Sequence, residues 1–137
     1  MKVKLFGDNT KPPVKSHLPD SGLDIFMPCD FTISPLETKT IGLQLGVSIP
    51  EGFAGMIVPR SSVAEKGLII QTSIIDPDYS GEIHLIVTNC SNNIVDVVKG
   101  QRLCSLVVYS VLNPYIEVVD KLESSIRGTN GLGSTGK

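Results

Sequence analysis

Hydrophobic and polar residues alternate with a period of two along most of this chain, and such alternation is typical of half-buried β-strands. The same kind of pattern predicts strands at residues 3–6, 40–49, 83–88, 103–111 and 115–119. Between residues 40 and 49 every second position is aliphatic, which predicts one strand with a single inner face. The inner-face residues of that strand are Ile41, Leu43, Leu45, Val47 and Ile49.

Turn-forming residues separate these runs at regular intervals, as at Pro50-Glu51-Gly52 and Asn113-Pro114. Short strands with such spacing predict an all-β sandwich or barrel, and no alternation of strands with long helices supports a doubly wound α/β fold. Only short helices are predicted. Ser62 and Glu65 have the spacing of a capping box, which predicts a short helix that Gly67 would end. Residues 118–126 are compatible with one or two helical turns.

Length and composition predict one domain followed by a short arm. The chain has 137 residues, of which 41% are hydrophobic and 19% charged, and this is enough for a buried core. Residues 127–137 contain four glycines and one large apolar residue, so they cannot bury enough surface to stay ordered alone. We therefore predict a β-domain over residues 1–126 and a mobile, glycine-rich C-terminal arm over residues 127–137.

Charge and targeting signals narrow the range of partners and locations. The 12 basic residues oppose 14 acidic ones, and the net charge of −2 argues against direct nucleic-acid binding. No apolar run approaches the roughly 20 residues that a membrane-spanning helix needs, and no hydrophobic leader opens the chain. We expect a protein that is not secreted, and that is cytoplasmic or, if viral, nuclear or elsewhere inside the host cell. The three cysteines, Cys29, Cys90 and Cys104, are expected to be reduced thiols.

The most informative polar run lies between two apolar β-runs, at Ile74-Ile75-Asp76-Pro77-Asp78-Tyr79-Ser80-Gly81. It predicts a hairpin tip in which Asp76 is partly buried and Asp78 lies in the turn. A carboxylate at a pocket wall can take a proton from water or hold a metal-bound water, and Tyr79 can present a flat face to a sugar or base. A turn of solvated acids explains the same residues, and for the run taken alone it is the favoured interpretation.

A second polar group, Arg60-Ser61-Ser62, comes just before the short predicted helix. A cation with two hydroxyls at that point suits an anion, whereas helix capping explains Ser62 better and leaves the other two without a role. Asp24 places one acid in an otherwise apolar run, and Arg102 follows a predicted turn. His17 and His84 do not share the spacing of a zinc site.

Taken together and in this order, these segments resemble the five motifs of the trimeric all-β deoxyuridine triphosphatases (dUTPases), which convert dUTP to dUMP and pyrophosphate. The resemblance spans nearly the whole chain, and the glycine-rich last segment is its most specific part. The matching segments are Ser21-Gly22-Leu23-Asp24-Ile25, Pro59-Arg60-Ser61-Ser62, residues 74–81, Gly100-Gln101-Arg102-Leu103 and Arg127-Gly128 through Gly131-Leu132-Gly133-Ser134-Thr135-Gly136.

The resemblance implies a jelly-roll-like β-barrel and a homotrimer with three active sites at the subunit interfaces. It implies dUTP as the substrate, with Mg²⁺ clamping the triphosphate and keeping several waters. Asp76 matches the base that activates water for attack on the α-phosphorus, and Asp24 matches an acid that holds a metal-bound water. Arg127 matches a catalytic residue of the arm, which would close over the site as a lid. Such an enzyme limits uracil incorporation into DNA and supplies dUMP for dTMP synthesis.

Further residues match substrate-binding positions of the family. Tyr79 matches the ring that packs on deoxyribose and leaves no space for a 2′-hydroxyl. The family reads uracil largely through backbone groups of the hairpin around residues 70–79, which places Ser73 and Ile75 at the base. The remaining predicted substrate contacts are Arg60, Ser61, Ser62, Arg102, Leu132, Gly133, Ser134 and Thr135.

Four positions depart from the family pattern. Leu132 stands where many members have a phenylalanine that stacks on the base, and an aliphatic side chain loses that stacking. Ser105 stands where the fourth motif often has glutamine. Ser73 replaces a common glycine and Ile70 an asparagine that often helps read the base, so these two positions bear on uracil specificity.

Two alternatives share this fold. A dCTP deaminase also has an Ile-Asp-Pro run, but its general acid–base glutamate aligns with Ile86, and an arginine of its second motif aligns with Glu65. An aliphatic side chain cannot transfer a proton, which disfavours deamination. The second alternative is a regulatory dUTPase-like binding protein, whose arm would couple nucleotide occupancy to surface shape.

Overall fold

The computed structural model describes residues 1–123 and 125 of the chain, and this part is built almost entirely from short strands. The prediction of an all-β chain is confirmed. The elements are β1 Lys2–Leu5, β2 Gly22–Phe26, β3 Phe31–Ile33, β4 Thr38–Gly42, β5 Leu45–Ser48, β6 Phe53–Pro59, α1 Ser61–Ala64, β7 Leu68–Ile70, β8 Ser73–Ile75, β9 His84–Asn89, β10 Val95–Val97 and β11 Arg102–Ser110.

The strands form two larger sheets and two separate pairs. The first sheet has the order β2-β11-β6-β8, the second has the order β4-β9-β7, and the pairs are β1-β5 and β10-β3. Every one of these ladders is antiparallel. Among the described strands, no two that are consecutive in the chain pair with each other, so the connections cross between sheets. Such crossing agrees with the predicted jelly-roll-like architecture.

One hydrophobic core joins both sheets and both pairs. Burying an aliphatic side chain of this kind stabilises the fold by about 1.5–3 kcal/mol relative to leaving it in water. The strict alternation in β9 buries Leu85 and Val87 and leaves His84 and Ile86 on the outer face. The members of the core that lie on strands include Ile25, Ile33, Leu45, Val47, Ile57, Leu68, Ile70, Ile75, Leu85, Val87, Val97, Leu103 and Leu106.

The prediction of one strand over residues 40–49 is wrong, although its inner face is correct. β4 ends at Gly42 and pairs with β9, whereas β5 begins at Leu45 and pairs with β1. Gln44 between them has a φ of 53°, a left-handed conformation that breaks the strand. Its backbone N–H donates to Glu82 Oε1 at 2.7 Å. Alternation reports burial and not the pairing partner, so it could not show this break.

The helical predictions are partly wrong. The N-cap of α1 is Arg60 without a side-chain capping bond, so Ser62 lies inside the helix and does not cap it. Gly67 does end this turn, with a φ of 72°. Residues 115–119 form no strand, and the described part of 118–126 forms no helix. No helix in residues 1–123 is long and apolar enough to cross a membrane.

Candidate functional site

Four polar side chains from separate parts of the chain converge on the buried carboxylate of Asp24. We call these residues together with Asp24 the Asp24 cluster: Ser16, Asp24, Arg60, Arg102 and Ser105. Asp24 lies on β2 directly opposite Ser105 on β11. Arg102 begins β11, and Arg60 follows β6, the other neighbour of β11. The antiparallel pairing of three adjacent strands therefore brings these residues to one place.

The carboxylate of Asp24 accepts hydrogen bonds on both oxygens. Ser105 Oγ donates to Oδ1 at 2.8 Å, and Ser16 Oγ donates to Oδ2 at 3.0 Å. Arg102 Nη1 donates to Oδ2 at 3.0 Å and to Ser16 Oγ at 2.9 Å, and Arg60 Nη1 forms a second ion pair with Oδ2. Two guanidinium groups against one carboxylate leave the cluster with a net positive charge, which suits an anionic ligand.

The environment keeps Asp24 ionised. Its burial acts to raise the pKa of the carboxyl, but hydrogen bonds from Arg60, Ser105 and Ser16 and the charge of Arg60 outweigh it and lower the pKa below its usual value. The side chains of Arg60 and Arg102 remain 31% and 39% exposed, so both cations can reach a ligand from solvent.

The structure brings together three of the residues singled out from the sequence, Asp24, Arg60 and Arg102. Ser61 and Ser62 lie on α1 and are exposed, and no recorded contact joins them to the cluster. Ser16 was missed, because nothing in its sequence context shows that residues 14–16 run beside β2. That placement comes from an isolated bridge between Val14 and Asp24.

A second candidate site is a cleft of about 250 Å³ between β8, the following loop and β9. It contains the predicted base Asp76, the predicted sugar platform Tyr79, and the two hairpin residues predicted to meet the nucleobase. Ile70, in contrast, is buried in the core. The residues that line the cleft include Ser73, Ile75, Asp76, Tyr79, Glu82, His84 and Ile86.

Asp76 lies at the start of the turn that follows β8 and is exposed, so the expectation of a partly buried acid is wrong for the single chain. The prediction of a hairpin tip is also wrong, because β8 pairs with β6 whereas β9 pairs with β4 and β7. β8 ends at Ile75, and the chain turns at once, with the backbone N–H of Tyr79 donating to the carbonyl of Asp76 at 3.1 Å. The turn carries the carboxylate out of the sheet to the edge of the cleft, where water has access to it.

Tyr79 and His84 share one anchor on the opposite side of the cleft. The hydroxyl of Tyr79 donates to the backbone carbonyl of Glu82 at 2.6 Å, and His84 Nδ1 lies 3.0 Å from the same oxygen. The ring of Tyr79 folds back over Gly81, where a Cβ atom would lie only 2.6 Å from the Tyr79 hydroxyl. Glycine at position 81 is therefore required for this position of the ring.

Glu82 and His84 were missed as cleft residues. The alternating pattern of β9 indicated only that His84 faces outward, and it could not show what lies outside the sheet at that point. Glu82 precedes the strand, and its carboxylate is held by the backbone N–H of Gln44 in the break between β4 and β5. That break was itself not predicted.

Comparison with known proteins identifies the family. The family model described as dUTPase matches residues 8–136. The chain belongs to the dUTPase family. The deoxyuridine 5′-triphosphate nucleotidohydrolase of Trichodesmium erythraeum (strain IMS101) is 35% identical over 139 residues, covering 99% of this chain and 98% of that protein.

Solved dUTPase structures have the same fold. Staphylococcus bacteriophage 80alpha dUTPase with dUPNHPP has a TM-score of 0.94 and 29% identity, covering 99% of this chain and 98% of that chain. A mutant dUTPase from phage phi11 of S. aureus, described with a structural Mg(II) ion, has a TM-score of 0.84 and 27% identity, covering 90% of this chain and 98% of that one.

Five predicted dUTPase residues, Arg127, Leu132, Gly133, Ser134 and Thr135, lie outside the described residues. Their roles, and the lid formed by residues 127–137, therefore stay predictions. Within residues 1–123, no group of three or more histidine, cysteine, aspartate and glutamate side chains lies together as a metal site. Both oxygens of Asp24 are already engaged by donors. The cluster therefore suits a metal that arrives on phosphate oxygens better than one bound directly by the protein.

Asp24 and the cleft lie at opposite edges of one sheet. Asp24 is on β2 and Asp76 follows β8, and β11 and β6 lie between them. With strands about 4.8 Å apart, the two edges are separated by roughly 14 Å across the strands. Asp24 and the cleft are thus separate places on the chain.

Proposed function

We propose that this chain is a dUTP diphosphatase, which hydrolyses dUTP to dUMP and pyrophosphate. The observation that carries the proposal is the placing of Asp76 and Tyr79 in one cleft of a chain that belongs to the dUTPase family. An acid exposed to water beside an aromatic ring provides a base for the attacking water and a surface for the sugar. The relatives named above are nucleotidohydrolases of the same substrate.

In this mechanism Asp76 accepts a proton from a water molecule as that water attacks the α-phosphorus. The exposed position of Asp76 at the mouth of the cleft supports this role, because the attacking water needs to enter from solvent. Tyr79 holds the deoxyribose against its ring, and its hydroxyl, fixed by the carbonyl of Glu82, keeps the ring from rotating away. A bond forms between the water oxygen and the α-phosphorus, and the bond that breaks joins the α-phosphorus to the oxygen that leaves with pyrophosphate.

The Asp24 cluster binds the triphosphate. Arg60 and Arg102 present guanidinium donors, and Asp24 fixes both of them through charged hydrogen bonds. Mg²⁺ would be held at this site together with the substrate, and it would supply positive charge to the phosphate oxygens. Asp24 is proposed to hold one of the metal's waters. Oδ1 supports this, because Ser105 is its only side-chain donor within the described part of the chain and a carboxylate oxygen can accept more than one hydrogen bond.

The working form is proposed to be a homotrimer with active sites shared between chains. The separation of Asp24 from the cleft supports this, because one dUTP molecule reaches both sites more easily when they come from neighbouring chains. Residues 111–123 add a second argument: Tyr115 is 93% exposed, and Leu112, Ile116, Val118 and Leu122 are similarly uncovered. Soluble proteins rarely leave so much contiguous apolar surface without a partner.

The C-terminal arm completes the proposed site. Arg127 would add a further cation to the departing pyrophosphate, and Ser134 and Thr135 would donate hydroxyl groups to the terminal phosphate. Leu132 and Gly133 would cover the base with aliphatic and backbone surface. Closure of residues 127–137 over the nucleotide would exclude bulk water from the reaction.

Replacement of the proposed base tests the mechanism. Asp76→Asn keeps the shape and is expected to lower kcat by about 100- to 10,000-fold, while binding of dUpNHpp changes little. Asp78→Asn is the matched control, because Asp78 is an exposed acid in the same turn, and it should keep near-normal turnover. Equal loss in both variants, or full activity in Asp76→Asn, would contradict the assignment.

A second candidate function is regulation of a protein partner. It is favoured by the similarity to Staphylococcus bacteriophage 80alpha dUTPase. The description of that structure states that phage dUTPases control transfer of virulence genes by a proto-oncogenic G protein-like mechanism. Such a role for this chain requires a surface that changes with nucleotide. Hydrogen exchange with and without dUpNHpp tests this, and protection confined to the cleft would count against a switch.

A further inference from the structure

His84 occupies a wall of the cleft that no family motif accounts for. It is the first residue of β9, on the outer face shared with Ile86, and both side chains line the cleft. Asp76 and Tyr79 stand at the same cleft on the loop that precedes β9. An imidazole at this position can make a directional contact with a bound nucleobase, which the neighbouring aliphatic side chains cannot.

The contact with Glu82 fixes which ring nitrogen carries the proton. His84 Nδ1 lies 3.0 Å from the backbone carbonyl oxygen of Glu82, and a carbonyl oxygen can only accept. Nδ1 must therefore be the N–H donor, and in the neutral ring Nε2 carries a lone pair. No residue in the described part of the chain is recorded as a hydrogen-bond partner of Nε2. Nε2 is thus left as an acceptor on a side chain that lines the cleft.

The other polar side chains of the cleft are less suited to this task. The hydroxyl of Tyr79 is engaged by the Glu82 carbonyl, and the carboxylate of Glu82 is held by the backbone N–H of Gln44. Asp76 is assigned to the attacking water. Ser73 keeps a hydroxyl that can donate or accept, so it can bind either kind of base edge and does not discriminate. His84 is the cleft side chain whose hydrogen-bonding sense the structure fixes.

We propose that His84 is a specificity residue that accepts a hydrogen bond from N3–H of the uracil base at its Nε2 atom. Uracil carries a donor at N3, whereas cytosine carries a bare acceptor there. The same lone pair therefore attracts uracil and repels cytosine. Thymine has the same N3–H as uracil, so this contact does not distinguish those two bases. The inference rests on the proposed function, and it names a side chain that reads the base in that site.

The Glu82 carbonyl also links base reading to sugar placement. Because Tyr79 and His84 donate to one oxygen, the ring that faces the sugar and the ring that faces the base are held in register. Glu82 itself is fixed from the other side, through its carboxylate and Gln44. The acceptor at Nε2 is therefore preorganised before nucleotide binds, which lowers the cost of ordering it on binding.

The tautomer is tested first, on the wild-type protein. The chain has only 2 histidines, so a long-range ¹H–¹⁵N spectrum contains two imidazole patterns, and His17→Phe assigns them. In alkaline buffer, where free imidazole side chains are neutral, His84 is expected to be protonated at Nδ1. Addition of dUpNHpp should move the ¹⁵N chemical shift of Nε2 in the direction expected when that nitrogen accepts a hydrogen bond. A proton on Nε2, or an Nε2 resonance unchanged at saturation, would overturn the proposal.

Kinetic discrimination tests the role itself. His84→Phe keeps a flat ring but removes the acceptor, and kcat/KM for dUTP should fall about tenfold, mainly through KM. The ratio of kcat/KM for dUTP to that for dCTP should fall by a similar factor, while the ratio of dUTP to dTTP should not change. His84→Gln, whose amide can turn to donate, should raise dCTP hydrolysis above that of His84→Phe.

The outcomes separate this inference from the proposed function. If the wild-type protein does not hydrolyse dUTP, the proposed function fails, and the tautomer spectrum still tests the geometry. If the wild-type protein hydrolyses dUTP but His84→Phe keeps the dUTP-to-dCTP ratio, the inference alone fails. His17→Phe is the control for both, since the side chain of His17 is 80% exposed outside the cleft and should leave every ratio unchanged.

Discussion

Removal of the negative charge of Asp24 is the perturbation that probes the Asp24 cluster most sharply. Asp24→Asn is nearly isosteric and keeps one carbonyl oxygen, which can still accept from Ser105. It removes the charge that neutralises Arg60 and Arg102, whose nitrogen atoms lie against Oδ2. The variant therefore leaves two adjacent guanidinium groups without a counter-ion in a partly buried place.

The magnitude follows from burial. Breaking a fully buried ion pair by removing one partner costs about 3–5 kcal/mol, whereas exposed pairs contribute about 0–1 kcal/mol. The Asp24 side chain is 10% exposed and the arginines are 31% and 39% exposed, so water partly compensates the cations. We expect a loss of about 2 kcal/mol. For a domain of this size that lowers Tm by about 8 °C.

The effect should depend on pH with a definite sign. The pKa of Asp24 is lowered in the folded chain, so ionisation favours the folded state. Its contribution is fully present above the unfolded pKa of about 4 and is lost as the pH falls through the lower folded pKa. The difference in stability between wild type and Asp24→Asn should therefore be constant near neutral pH and shrink progressively in acid.

Urea unfolding at neutral and acidic pH, at one protein concentration, measures this difference. Asp8→Asn is the matched control, because Asp8 is exposed and its side chain has no partner among residues 1–123, and it should change stability by less than about 0.5 kcal/mol. If Asp24→Asn were as stable as this control at neutral pH, the carboxylate would not be holding the arginines, and the reasoning would be refuted.

Two further predictions concern the arm and the thiols. Removal of residues 127–137 should leave the β-domain folded but lower kcat/KM on the order of 100-fold through lost positioning, as measured by pyrophosphate release, and full activity would remove the lid role. Burial, and secondarily the charge of Asp24, raise the pKa of Cys104 to about 12. Iodoacetamide should therefore label the exposed Cys29 and Cys90 in the folded protein, and a third adduct in the intact mass would contradict this burial.

The parts of the fold that burial dictates could be predicted from the sequence. The alternation in β9 and at residues 43–49 correctly identifies the buried aliphatic positions, because side chains point to opposite faces of a strand at every step. The break at Gln44 could not be predicted, because a left-handed residue other than glycine leaves no mark in a hydrophobic pattern. The prediction of a strand at residues 115–119 was wrong for another reason. These residues have a composition typical of strands, but they pair with no other strand within the described part of the chain.

Some residues of the candidate site could likewise be predicted from the sequence, and others could not. Asp24, Arg60 and Arg102 could be singled out because polar residues in apolar runs and before turns are conspicuous. Ser16 could not, because its role depends on a bridge between segments that the sequence does not reveal. His84 was visible as an outward residue, but its role depends on a carbonyl of the preceding loop. Local patterns thus identify charged groups, and tertiary contacts decide their partners.

The most direct test of the central claim is pyrophosphate release in the presence of Mg²⁺, measured in parallel on dUTP, dCTP, dTTP and UTP. The account predicts rapid release from dUTP and little from the other three. Ammonia without pyrophosphate from dCTP would indicate the deaminase, and release from none of the four would contradict the proposed function and favour a purely regulatory protein.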